Sequence, residues 1–191
     1  MAKSKMNLPN KLTVMRMFMV PVCIAAILIP EAWLDPDLTA IIALVIFAAA
    51  SITDAIDGKL ARKYNLITDF GKFMDPLADK LLVFTTMILL LNQNNGLATW
   101  AVIVMLAREF VVSGLRMLAA EKGQVIAAGM LGKIKTNIQF FMIILLLIFG
   151  ENTHIAFVVI NQIAIYLSVI FSLWSGIDYV VKGKNIILES K

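Results

Sequence analysis

The sequence predicts an all-α, polytopic membrane protein: six transmembrane helices and an N-terminal interfacial amphipathic helix, in a single membrane domain over residues 1–191. Three observations carry this reading. Hydrophobic residues make up 60% of the chain and mean hydropathy is +0.87, whereas a soluble domain sits near about 45–50% apolar. The apolar residues gather into six runs of 15 to 23 residues, where a helix needs roughly 20 to cross the hydrocarbon. The 17 Lys and Arg residues fall at alternate connections between those runs, as the positive-inside rule requires of a six-helix chain.

The elements follow in order. Leu12–Pro30 is the first run, broken by Arg16 and Pro21. Met6 to Met19 reads as an interfacial amphipathic segment leading into it, with Lys11 and Arg16 at headgroup level. Arg16 interrupts the run and no small-residue cleavage pattern follows, so this is a retained segment and not a signal peptide. Leu38–Ile56 is the second run, Leu77–Leu91 the third and Leu97–Leu118 the fourth. The fourth carries Arg108, Glu109 and Arg116. Ile134–Phe149 and Ile155–Ile177 complete the six. The connections near 31–37, 92–96 and 150–154 hold no Lys or Arg. Every basic residue lies in the N-terminal segment, in 59–80, in 108–135 or in the C-terminal tail. Both termini are therefore expected in the cytoplasm.

The remaining signals are smaller. A net charge of +4 is modest, and no nucleic-acid partner is expected. Cys23 is the one cysteine and has no partner for an internal disulfide. Trp174 and Tyr179 read as interfacial aromatics, with Asp178 able to pair with a base. His154, in an external connection, reads as a surface residue.

Residues 51–80 hold five aspartates beside lipid-compatible runs. Asp54 and Asp57 lie near the end of the second helix. Asp75 and Asp79 lie at the start of the third, with Pro76 as its first residue and Asp75 as a helix cap. Spacings of three and four put each pair on one helix face, about 5–6 Å apart at Cβ. The short connection over 58–74 makes the helices neighbours, so four carboxylates converge. Unneutralised, they would repel. Hard divalent cations remedy this, and Mg²⁺ favours carboxylate oxygens combined with substrate phosphates. Gly58, Ala61 and Gly71 permit close approach to the backbone, and Arg62 and Lys63 offer charge to phosphate oxygens. Asp69 reads as a solvated loop residue.

Asp54-x2-Asp57-Gly58-x2-Ala61-Arg62-x8-Gly71-x3-Asp75-x3-Asp79 resembles the signature of the CDP-alcohol phosphotransferase family at every fixed position. The resemblance implies a six-helix membrane enzyme, usually homodimeric, that transfers a phosphatidyl or related group from a CDP-linked donor to an alcohol and releases CMP. It implies two Mg²⁺ ions per site, with Mn²⁺ the alternative, held by Asp54, Asp57, Asp75 and Asp79. Asp79 would also be the general base on the acceptor hydroxyl. Asp57, Gly58, Ala61, Arg62 and Gly71 would shape the CDP site.

Two further stretches resemble the branch of that family whose acceptor is sn-glycerol 3-phosphate. In "NLPNKLTVMR", Pro9, Asn10, Thr13 and Arg16 match its N-terminal pattern. Asn10, Thr13 and Arg16 share a helix face and would line the nucleotide end, unless the segment is only an anchor capped at Asn10. The second stretch runs from Ala107 to Gln139 and matches at Arg108, Glu109, Arg116 and Gly132-Lys-x-Lys-Thr. Arg108 lies within an apolar run and needs an anionic partner; Glu109 is able to supply one. Arg108, Arg116, Lys133, Lys135 and Thr136 would bind the acceptor phosphate, against the alternative that the lysines only snorkel to the cytoplasmic interface.

The expected reaction takes CDP-diacylglycerol and sn-glycerol 3-phosphate, in a bacterial cell membrane, to a phosphatidylated product and CMP. Membrane lipids are further partners. Inositol phosphate, serine or phosphatidylglycerol are the rival acceptors. A divalent-cation transporter is the rival outside the enzyme class; it would move ions without CDP-lipid and release no CMP.

Overall fold

The computed structural model describes residues 8–30, 33–63, 69–91, 96–123, 129–150 and 152–188. Most of these residues are helical, and none of them forms a strand. The helices are α1 (Leu8–Ile27), α2 (Pro36–Lys63), α3 (Asp69–Leu90), α4 (Thr99–Glu121), α5 (Met130–Phe149) and α6 (Ile155–Leu188). The chain divides into two compact units, Met1–Leu89 and Leu90–Lys191.

The first unit is built on α1. Thr13, Arg16, Val20, Cys23 and Ile27 are buried, at alternating steps of three and four, which draw one stripe along a helix. α2 packs on α1 and buries Thr39, Ala43, Phe47 and Ala50. α3 buries Ala78, Leu82, Thr86 and Leu90, at steps of four. Thr86 Oγ1 donates to the Leu82 carbonyl at 2.9 Å and meets Cys23 Sγ at 3.9 Å, which joins α3 to α1.

Two sequence expectations change here. Residues 8–27 form one continuous helix with Pro21 inside it. Arg16 is fully buried within the protein (0% exposed) and does not face the headgroups. In α3 the helix begins at Asp69, so Pro76 is an interior residue, Asp75 is not a cap, and Asp69 is the first helical residue rather than a loop residue. Proline at a first helical position is realised at Pro36 instead, where Thr39 N–H donates to the Asp35 carbonyl at 2.9 Å.

The second unit is a three-helix assembly on α6. α4 and α5 both pack against it. Contacts along α4 advance in step with contacts along α6. Gln162 Nε2 donates to the Gly96 carbonyl at 3.0 Å, Trp100 lies 6.2 Å from Tyr166 between ring centroids, and the Arg116 guanidinium reaches Tyr179. α4 and α6 are therefore parallel. α5 runs the other way: the Phe149 and Phe157 rings stack at 4.3 Å, and Asn161 Nδ2 donates to the Phe149 carbonyl at 3.2 Å. α4 ends where Gly123 takes φ +68, a left-handed conformation that glycine adopts at no steric cost.

α6 is buried along Asn161, Ala164, Ile165, Ser168, Ser172, Ser175 and Tyr179. Small residues on this line let the neighbouring helices approach closely. Its other sides expose Ile163, Ile170, Leu173, Trp174 and Ile177, a run of apolar side chains that suits lipid and not water. α5 (Met130–Phe149) and the Ile155–Lys184 part of α6 are long and apolar enough to cross a membrane. Thr13–Ile27, Leu38–Thr53 and Lys80–Leu90 are shorter apolar segments within α1, α2 and α3.

Tyr179 differs from its expected role. It is 2% exposed and covered by Arg116, so it is an internal residue and not an interfacial aromatic. Trp174 is 56% exposed, as an outward-facing aromatic should be, and His154 is exposed.

Candidate functional site

Every fixed position of the acidic pattern lies on helical backbone. α2 continues to Lys63, so Gly58, Ala61 and Arg62 belong to it and not to a connection. α3 starts early enough to include Gly71. At about 100° per residue, positions 54, 57, 58, 61 and 62 fall within an arc of roughly 140° on α2. Positions 71, 75 and 79 fall within about 80° on α3 by the same geometry. Only residues 64–68 separate the two helices.

Depth along each helix is also matched. With a rise of about 1.5 Å per residue, positions 57 and 75 each lie roughly 9 Å from the 64–68 connection, and positions 54 and 79 roughly 14–15 Å. The side chains of Asn10, Asp54, Asp57, Ala61, Arg62, Asp75 and Asp79, with Gly58 and Gly71 beside them, lie outside the described set. Among the described residues there is no cluster of three or more His, Cys, Asp or Glu. Carboxylates are the donor chemistry that Mg²⁺ prefers, so the residue types at these positions fit the expected ions. Thr13 and Arg16 are described, and both are buried in α1, one turn apart.

The second unit holds a node of charge. Arg108 Nη1 donates to Glu109 Oε1 at 2.6 Å, and Lys135 Nζ donates to the same oxygen. Arg108 Nη2 donates to Ser175 Oγ. The side chains of Arg108, Glu109 and Lys135 are only 8%, 14% and 5% exposed. α4, α5 and α6 thus meet in one buried ionic cluster, whose two cations share one carboxylate. Shared burial of this kind holds only where charges are paired and hydrogen-bonded.

The other basic residues go elsewhere. Arg116 donates to the Tyr179 hydroxyl from Nε at 3.1 Å and from Nη2 at 2.6 Å. Lys133 is exposed. Thr136 Oγ1 donates to the Gly132 carbonyl at 3.0 Å, which leaves its oxygen free to accept. Asp178 pairs with Lys182 at 2.7 Å. Of the five residues expected at an acceptor phosphate, the structure brings Arg108 and Lys135 together, through the one Glu109 oxygen that both contact.

A model of the CDP-alcohol phosphatidyltransferase family matches residues 6–174, across both units. The chain belongs to the CDP-alcohol phosphatidyltransferase family. Among similar members of that family, a Bacillus subtilis protein named CDP-diacylglycerol–glycerol-3-phosphate 3-phosphatidyltransferase is 40% identical, covering 93% of this chain and 95% of its own. A Rickettsia felis protein of the same name is 36% identical, over 91% and 93% of the two chains. A Mycobacterium tuberculosis protein named probable phosphatidylglycerophosphate synthase is 39% identical, over 93% of this chain and 81% of that one.

Sequence reasoning did not single out Ser175, Gly176 or the inward role of Tyr179. The signal was present. Asn161, Ser168, Ser172 and Ser175 recur at helical spacing inside a mainly apolar run, and polar residues there face protein and not lipid.

Proposed function

We propose that this family member is a phosphatidylglycerophosphate synthase of a bacterial cell membrane. It transfers the phosphatidyl group of CDP-diacylglycerol to sn-glycerol 3-phosphate and releases CMP. The observation that carries the acceptor assignment is the buried pair Arg108 and Lys135 on one Glu109 oxygen. Two cations held out of water suit an acceptor that brings its own phosphate; serine would not need them. The names of the curated relatives support the same pair of substrates.

All six helices cross the membrane in this reading. The parallel α4 and α6 with α5 reversed support alternating crossings. Lys122, Lys133, Lys182 and Lys184 belong to one end of the second unit, while 152–157 at the other end holds no Lys or Arg. Both termini then lie in the cytoplasm. α2 is 28 residues long, about 42 Å at 1.5 Å per residue against about 30 Å of hydrocarbon. Its acidic C-terminal part reaches the cytoplasmic boundary, where water-soluble acceptor and CMP are accessible. The functional protein is a homodimer in this reading.

Asp54, Asp57, Asp75 and Asp79 would hold two Mg²⁺ ions. When bound, these ions neutralise charge on the donor's pyrophosphate and on the leaving CMP. Asn10, Thr13, Arg16, Gly58, Ala61, Arg62 and Gly71, with Asp57, bind the CDP moiety. Arg108 and Lys135 hold the acceptor phosphate, with Arg116, Lys133 and Thr136 nearby in sequence. Asp79 takes the proton from the acceptor's primary hydroxyl. That oxygen forms the new bond to the phosphatidyl phosphorus as the bond to the CMP oxygen breaks in line. Catalysis is mostly positioning and charge stabilisation.

The test is CMP release by purified protein with CDP-diacylglycerol and Mg²⁺, with and without sn-glycerol 3-phosphate, beside Asp79→Asn. Release should require this acceptor and fall by about 10²–10⁴-fold in the variant, the usual range for a general base. Release with serine or an inositol phosphate instead would overturn the acceptor. Ion flux without CMP release would overturn the enzyme.

A further inference from the structure

Arg108 is held by more than its ion pair. Its side chain leaves α4 and crosses the surface of α6 at Gly176. A Cβ built at Gly176 would lie 2.9 Å from Arg108 Cγ and 3.9 Å from its Cβ and Cδ. Real Cβ atoms do not sit that close, so the missing side chain at 176 is the slot in which the arginine stem lies. The residue before it in sequence fixes the head: Ser175 Oγ, on a residue only 1% exposed, accepts from Nη2. Glu109 takes Nη1. A guanidinium has five N–H donors in a rigid fork, so fixing stem, Nη1 and Nη2 fixes the direction of the rest.

What remains is informative. Arg108 Nε is buried and has no hydrogen-bond partner among the described residues. A buried donor is normally paired. Here the same group that is so carefully oriented is left with a donor to spare, next to a second buried cation, Lys135, whose ammonium Glu109 holds against Arg108 despite their like charge.

We propose that Ser175 and Gly176 of α6 are positioning residues that set selectivity for a phosphorylated acceptor, by fixing Arg108 so that its Nε–H is presented to the acceptor's phosphate monoester. This rests on the reading of the second unit as the acceptor-phosphate site. The pair acts through Arg108 and touches no reacting atom. Gly176 admits the stem, Ser175 orients the fork, and the acceptor's phosphate oxygen completes the hydrogen bonding that the protein leaves open. An acceptor without a phosphate gains nothing from the bracket.

The experiment is steady-state CMP release in mixed micelles by the full-length protein, varying sn-glycerol 3-phosphate at saturating CDP-diacylglycerol and then the reverse. Ser175→Ala should raise KM for sn-glycerol 3-phosphate by about 10-fold, the effect of losing one hydrogen bond to a charged group, and leave KM for CDP-diacylglycerol within about two-fold. Ser175→Thr, which keeps the hydroxyl, should recover most of that loss. Gly176→Ala should raise the same KM and again spare the donor. A purely packing role would lower stability or kcat without separating the two KM values, and the hydroxyl of threonine would rescue nothing; either result overturns the proposal. Should Ser175→Ala fail to fold in detergent, Gly176→Ala carries the comparison, and failure of both to fold would make the pair a packing element. The wild-type protein separates this from the underlying reading. If it does not use sn-glycerol 3-phosphate, the acceptor assignment falls. If it does and the variants keep its KM, the bracket alone falls.

Discussion

Replacing Glu109 by Gln removes a charge and keeps the shape. Oε1 of Glu109 is the common acceptor for Arg108 Nη1, at 2.6 Å, and Lys135 Nζ. An amide oxygen can still accept from both, but it cannot offset two positive charges. At an effective dielectric near 20, opposite charges about 4 Å apart attract by roughly 4 kcal/mol. Here one anion serves two cations, and all three side chains are at most 14% exposed, so water does little to screen them. The variant leaves Arg108 and Lys135 repelling one another across the packed α4, α5 and α6. Removing one member of a buried ionic cluster costs about 3–5 kcal/mol. For a chain of this size that is a fall in Tm on the order of 10 °C. The assay is thermal unfolding in detergent followed by tryptophan fluorescence, with Lys184→Gln, an exposed lysine on α6, as the reference for a simple charge change. A Glu109→Gln protein that melts within about 2 °C of wild type, a shift worth under about 1 kcal/mol, would refute the view that this carboxylate holds the cations.

Other outcomes follow from the same structure. Gly96 has φ +77, and a Cβ there would collide with Gln162 Nε2; Gly96→Ala should cost about 2–3 kcal/mol in unfolding measurements, from left-handed strain and a displaced hydrogen bond. Gln162→Ala alone should cost only about 1 kcal/mol, since it loses the bond to the Gly96 carbonyl without the strain. Tyr179→Phe removes the hydroxyl that accepts twice from Arg116 and should destabilise by about 1.5–3 kcal/mol, the range for hydrogen bonds to a charged group; an unchanged Tm would show that the cation–ring contact suffices. Chelation with EDTA should abolish CMP release and added Mg²⁺ should restore it, because the four carboxylates proposed as ligands would repel a pyrophosphate without the ions; undiminished turnover in EDTA would reject the metal assignment.

The sequence by itself determined the number and order of the helices among the described residues, because apolar runs and the connections that break them are local properties. Family membership was equally legible, since the eight positions from Asp54 to Asp79 need only counting. Helix ends were less so. Hydropathy marks where a chain suits lipid, but a helix once nucleated propagates cheaply through Ala, Lys, Arg and Glu. α2 therefore runs on to Lys63, α3 begins at Asp69 and α6 continues to Leu188, beyond their apolar runs. Pro76 misled for a related reason: proline suits a first turn, yet α3 begins seven residues earlier, at Asp69.

Only the tertiary structure decided which charges meet. Arg108, Arg116, Lys133 and Lys135 look alike as a basic stretch in sequence. In the fold Arg108 and Lys135 close on Glu109, Arg116 turns to Tyr179, and Lys133 stays exposed. The selection comes from α6, far along the chain, whose glycine makes room for one arginine stem and whose serine takes its head. Pairing of this kind depends on which helix faces which and on distances of a few tenths of an ångström. Local sequence constrains the face a residue occupies; it does not say what will be packed against it.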